Sequence, residues 1–149
     1  MKGCIFCDAL KSDSDKKSYI LLRGSHNFIL LNKYPYTPGH LMVAPYKHIA
    51  LFEQSKKESS YEMIELLKLS LKIIKEQYKP QGFNTGMNLG KCAGAGVADH
   101  YHFHVIPRWA GDANFMPLIG NTKLIIEDIE ETYNKLAPLF KEKQVNSPK

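Results

Sequence analysis

The sequence predicts an α+β fold with antiparallel strands. Most of its short apolar runs are separated by a few polar residues, fewer than the dozen or more that a parallel crossover needs. Two other stretches repeat their apolar residues at helical spacing, and 149 residues is the size of one domain. Tyr19 to Arg23 and Asn27 to Leu31, split by Gly24-Ser25 after the polar turn Lys11 to Lys17, predict a hairpin. Leu41 to Ala44, ended by Pro45, predicts a third strand. From Lys56 to Tyr78, the residues Met63, Leu66, Leu67, Leu71, Ile74 and Tyr78 mark one face of a helix that Pro80-Gln81-Gly82 stops. Phe83 to Leu89 and Tyr101 to Ile106 read as two further strands, joined by the glycine-rich stretch Gly90 to Gly96. Ile125, Ile129, Tyr133 and Leu136 space a second helix, whose end Pro138 weakens. The domain is expected over residues 1–140, with 141–149 as a flexible tail.

With 44% hydrophobic and 23% charged residues, the composition is that of a globular chain, neither disordered nor fibrous. A net charge of +5 suits anionic small molecules and lacks the clustered basic stripe of a nucleic-acid binder. No apolar run approaches the roughly 18 residues of a membrane span, and Asp8 cuts the apolar N-terminus short of a signal core. The expectation is therefore a cytoplasmic protein without membrane or nucleic-acid partners. In that reducing compartment its three cysteines point to thiol chemistry or metal ligation before a disulfide.

Half of the six histidines fall in His100-Tyr101-His102-Phe103-His104. On a strand, period two sends His100, His102 and His104 to one face and Tyr101, Phe103 and Val105 to the other. Same-face neighbours stand roughly 6.6 Å apart, close enough to converge on a phosphate or a metal. Two readings follow. Two or three imidazoles hold a catalytic zinc with an open position, or one imidazole is a nucleophile and its neighbours orient it. Gly90 to Val97 adds a loop whose backbone N–H groups can face phosphate oxygens. Cys4-x-x-Cys7 reads as a redox pair, half a zinc site or incidental thiols; redox is disfavoured because an N-terminal tetrapeptide lacks the preceding strand and following helix of a thioredoxin-like motif.

His100 through Ile106 matches the His-φ-His-φ-His-φ-φ pattern (φ apolar), and the chain resembles the histidine-triad (HIT) family. The resemblance extends to Cys4-Ile5-Phe6-Cys7, to Pro38-Gly39-His40-Leu41-Met42-Val43-Ala44-Pro45 with His48, and to Phe83 through Gly90. Pro107 through Phe115 is similar to the branch of diadenosine tetraphosphate phosphorylases and related hydrolases. The resemblance implies an antiparallel sheet of about five strands with two helices, paired into a homodimer through the long helix and a strand edge. It also implies cleavage at a nucleotide α-phosphate. His102 would attack phosphorus, His104 would contact the phosphoryl group, and His40 would stand beside them. Asn32 would meet the ribose, Asn88 a phosphate, and Gly94, Ala95, Gly96 and Val97 would line the phosphate loop. Gly96 stands where several phosphorolytic relatives carry a hydroxyl, so water and phosphate both remain as acceptors. A structural zinc would take Cys4, Cys7, His48 and His100. The expected function is a dinucleoside polyphosphate hydrolase or transferase. A purine nucleoside phosphoramidase is the first alternative, and a zinc-dependent nucleotide-binding module without turnover the second.

Overall fold

Alternation of buried residues to both faces builds the sheet. In the computed structural model, which describes residues 3–112 and 127–145, five strands pair antiparallel in the order β1-β2-β3-β5-β4. They are β1 (Ile20–Arg23), β2 (Asn27–Leu31), β3 (Leu41–Pro45), β4 (Gly82–Gly86) and β5 (Phe103–Arg108). Every residue of β2 and β3 is buried, since both faces of the sheet are covered. On one face, α3 (Lys57–Tyr78) and α4 (Ile129–Val145) pack on Ile29, Leu31, Leu41, Val43 and Val105. On the other, α1 (Ile5–Leu10) covers Ile20, Phe28, Leu30, Met42 and Ala44. A single turn, α2 (Asp15–Ser18), leads into β1.

The helix predicted from Lys56 to Tyr78 is α3, one residue shorter at its start. Met63, Leu66 and Ile74 are buried as the spacing requires, while Leu67, Leu71 and Tyr78 are only partly covered at the margin. Ser70, unread as a core position, is buried because its Oγ donates to the Leu66 carbonyl at 2.7 Å. The helix ends with Lys79 in the left-handed region (φ 48°), and Pro80 follows.

Several boundaries move. Two small helices, α1 and α2, add to the two expected, and α2 takes up part of the predicted turn Lys11 to Lys17. β4 ends at Gly86 rather than Leu89, because the chain turns there toward the glycine loop. β5 begins at Phe103 rather than Tyr101 and runs on to Arg108, so His100 and His102 precede the strand and only His104 lies in it. Pro138 does not weaken the helix at that point. α4 passes through it to Val145, held by the buried Leu136, Ala137 and Phe140. Ile125, Asn114 and Phe115 lie outside the described residues.

Candidate active site and metal cluster

β3 and β5 carry the histidines into one place. Met42 is the register partner of His104, and Leu41 that of Val105. His104 therefore shares the α1 face of the sheet while Val105 enters the core under α3. His40, one residue before β3, is buried, and its Nε2 lies 3.0 Å from His104 Nδ1. The His102 ring stands edge-on to that of His104, with centroids 4.7 Å apart.

Hydrogen bonding assigns the tautomers. The Tyr36 amide donates to His40 Nδ1 at 3.2 Å, so the ring proton of His40 is on Nε2 and is donated to His104 Nδ1. His104 then carries its own proton on Nε2. His102 Nδ1 donates to the His100 carbonyl at 3.0 Å, which leaves a lone pair on His102 Nε2. Burial, reinforced by the neighbouring rings of His104 and His102, lowers His40 to about 3. Burial, then His102, lowers His104 to about 4. His102 is lowered too, by burial working against the His100 carbonyl. All three rings are neutral at physiological pH, and the arrangement offers one unprotonated nitrogen beside one N–H donor.

The expected phosphate contacts are only partly disposed as the glycine spacing suggests. Gly86 is the partner of His104, so the chain leaves β4 level with the histidines, and Asn88 follows with its Nδ2 3.4 Å from the Gly94 carbonyl. The amides of Gly94 and Ala95 turn inward, onto the carbonyls of Lys91 and Gly90 at 3.0 and 3.3 Å. Those of Gly96 and Val97 have no such partner among the described residues, and the Val97 side chain packs against the α1 cluster. Gly94 sits at φ +87°, a conformation in which a side chain would be strained. Asn32 lies against His40, its Nδ2 3.4 Å from both ring nitrogens, while its Oδ1 accepts the Tyr34 amide at 2.9 Å. Beside His104, Met42 and Leu30 floor an apolar slot under α1 whose rim carries Asp8, Lys17 and Lys33.

His100 belongs to a different cluster. Its Nδ1 is 3.3 Å from Cys4 Sγ and 3.7 Å from Cys7 Sγ, and Cys7 Sγ is 3.3 Å from His48 Nδ1. The four donor atoms lie within 4.8 Å of one another. A zinc tetrahedron with bonds of about 2.0 to 2.3 Å has edges of roughly 3.5 Å, so the donor set fits. His100 Nε2 donates to the Pro45 carbonyl at 2.9 Å, which turns the Nδ1 lone pair toward the thiols. Burial, then Cys4, pushes the Cys7 thiol up, and burial lowers His100 to about 4, so without a metal the thiol keeps its proton and the His100 ring is neutral with its Nδ1 lone pair available to a ligand ion. His102 and His104 are outside this cluster, so the reading in which several triad imidazoles share one open metal site is set aside. Cys4 caps α1, so a helix does follow Cys4-x-x-Cys7, but no strand precedes it among the described residues.

Sequence reasoning gave Phe6 no role. It is fully buried, with its ring 5.0 Å from that of His100 and 4.7 Å from that of His102. The Tyr36 amide and the Pro45 carbonyl, which set two tautomers, were also missed, since backbone groups leave no mark in residue types.

A family model described as HIT domain matches residues 13–111. The chain is 42% identical to AP-4-A phosphorylase of Mycobacterium tuberculosis over 124 residues, 83% of this chain but 64% of that protein, so it spans under two thirds of that relative. It is 32% identical to adenosine 5'-monophosphoramidase of Schizosaccharomyces pombe over 71% of this chain and 74% of that one. The fold is that of a zinc-bound histidine triad family protein from Mycobacterium smegmatis, at a TM-score of 0.76 and 23% identity over 97% of this chain and 98% of that one.

Proposed function

The chain belongs to the HIT family, and from that premise we propose that it is an enzyme cleaving the α-phosphate linkage of dinucleoside polyphosphates such as diadenosine tetraphosphate. The observation that carries the reading is the pair of tautomers, an unprotonated His102 Nε2 beside the Nε2–H of His104. The His102 lone pair forms a P–N bond as the P–O bond to the rest of the polyphosphate breaks, and the leaving group departs as an anion. His104 donates to the phosphoryl oxygen, held in its tautomer by His40. Water or inorganic phosphate then breaks the P–N bond and returns the imidazole.

Asn32 is assigned to the ribose, and the slot over Met42 and Leu30 to its base. Asn88 and the loop Gly94, Ala95, Gly96 and Val97 are assigned to phosphate, with the Gly96 and Val97 amides as the available donors. Cys4, Cys7, His48 and His100 would hold zinc in a closed structural tetrahedron, which fixes their geometry and balances the thiolates. Its partner is a small nucleotide rather than nucleic acid or a membrane, and no described helix is long and apolar enough to cross one. A cytoplasmic homodimer completes the reading.

The test is rapid quenching with labelled diadenosine tetraphosphate under conditions that preserve phosphoramidates, followed by mass spectrometry. An adenylyl adduct on His102 is expected, and His102→Ala should lower turnover by about 10³-fold or more. Full turnover in that variant ends the proposal. ADP formed only in phosphate buffer would identify phosphate as the acceptor. The similarity to the monophosphoramidase favours a second reading, in which the same intermediate forms from a P–N substrate; comparing kcat/KM for the two substrate classes separates them.

A further inference from the structure

Phe6 lies inside Cys4-Ile5-Phe6-Cys7, the residue immediately before one candidate ligand and two after the other. Its ring is fully buried. One side meets Phe28 edge-on at 6.5 Å, and the rings of His100 and His102 lie at 5.0 and 4.7 Å. It therefore touches both a member of the metal cluster and the nucleophile. His102 is 4% exposed, and its polar anchor among the described residues is one bond, from Nδ1 to the carbonyl two residues before it. A single local bond leaves the imidazole free to tilt about that contact. Among the rings packed on it, the Phe6 ring, tilted 42° at 4.7 Å, opposes the tilt on one side and the edge-on ring of His104 at 4.7 Å on another.

We propose that Phe6 is a positioning residue that couples the Cys4–Cys7–His48–His100 cluster to His102, so that filling the cluster fixes the direction of the nucleophilic nitrogen. Ligation of Cys4 and Cys7 holds the backbone on both sides of Phe6, and ligation of His100 holds the ring against which Phe6 packs. Phe6 is then clamped from three directions and transmits that fixity to the one face of His102 it covers. The proposal rests on the nucleotidyl-transfer reading above only for its kinetic consequence; the placement of the His102 ring is measured without substrate.

The experiment compares wild type with Phe6→Leu, which keeps an apolar side chain and gives up the flat face. Three quantities are read: zinc per chain, kcat and KM with diadenosine tetraphosphate, and the imidazole nitrogen resonances of His102 without substrate. Zinc-loaded Phe6→Leu should retain one zinc per chain and a KM close to wild type. Its kcat should fall about 10- to 100-fold, and its His102 resonances should shift or broaden. Chelating the wild type should produce the same shift. Chelating Phe6→Leu should lower kcat by a smaller factor than it does in wild type, because the coupling element is already gone. A merely structural Phe6 would lower stability or zinc content while leaving the His102 resonances of the loaded variant in place; that result, or equal chelation factors in both proteins, overturns the proposal. If chelation unfolds the chain, the loaded proteins alone decide. Failure of the nucleotidyl-transfer reading would appear instead as wild-type protein without turnover, or as full turnover in His102→Ala.

Discussion

His40 takes no second proton in the fold because burial strips the imidazolium of water, and the Tyr36 amide already donates to its Nδ1. His104, its hydrogen-bond partner, is lowered for the same first reason. This neutrality sets a pH dependence. Above about pH 6.5 neither the folded nor the unfolded chain protonates these rings. Below it the unfolded chain takes up the protons, while folded His104 resists to about 4 and His40 to about 3. Their contribution to stability is thus intact above about 6.5 and lost as pH falls toward 3, each pKa unit being worth about 1.4 kcal/mol. Denaturant midpoints at pH 7 and pH 4.5 measure it. His40→Asn should show a shallower fall than wild type; acid release of any metal held by the cysteine cluster would be common to both proteins and drop out of the difference. An equal fall in the two would mean that His40 titrates normally in the fold.

At the scale of elements, the β1–β2 hairpin was legible in Gly24-Ser25 and the flanking apolar runs, but what holds its turn was not. Glu62 reads as one more charged residue on the outer face of α3. In the fold its carboxylate accepts from the amides of Ser25, His26 and Asn27 at 2.6, 2.8 and 2.8 Å, and from Asn27 Nδ2 at 2.8 Å. The same carboxylate explains Gly24, where an added Cβ would stand 2.8 Å from Glu62 Oε1. Glu62→Ala should lower stability by about 1–3 kcal/mol in urea unfolding, since it strips the acceptor from several donors at once. A change within about 0.5 kcal/mol would show that water replaces the carboxylate without loss. The contrast explains which elements the sequence discloses. Strands and the long helix declare themselves through apolar periodicity, because the core selects one face. α1 has six residues, fewer than two turns, and too few to form a period. Its docking depends on Phe6, Ala9 and the cysteine cluster, all long-range contacts. In the same way His100, His102 and His104 are visible as a motif, but the parting of His100, beside Cys4, Cys7 and His48, from His102 and His104, beside His40, goes with β5 beginning only at Phe103. Strict alternation from Tyr101 would have put all three rings in one row.

For the whole molecule, the sheet order leaves β4 as an outer strand beside β5, while β1, the opposite edge, is flanked by α2 and α4. An outer strand carries unpaired amides and carbonyls, and soluble proteins commonly protect it with lysine, proline or a covering segment. Gly82-Phe83-Asn84-Thr85-Gly86 has neither of those residues. Elsewhere in the fold, α3 buries one face in the core and leaves Tyr61 64% and Ile64 44% exposed. An edge with no covering segment among the described residues, together with an apolar helix surface on the same chain, suits a two-fold partner, since a symmetric dimer lets each copy cover the other's patch. Light scattering after size exclusion should therefore give a mass twice the 17.0 kDa of one chain. Ile64→Lys, which places a charge on that surface without touching the core, should move the mass toward a single chain with little change in melting temperature at high dilution. Wild-type protein that runs at 17.0 kDa across micromolar concentrations would remove the homodimer from the proposed function while leaving the chemistry of His102 untouched.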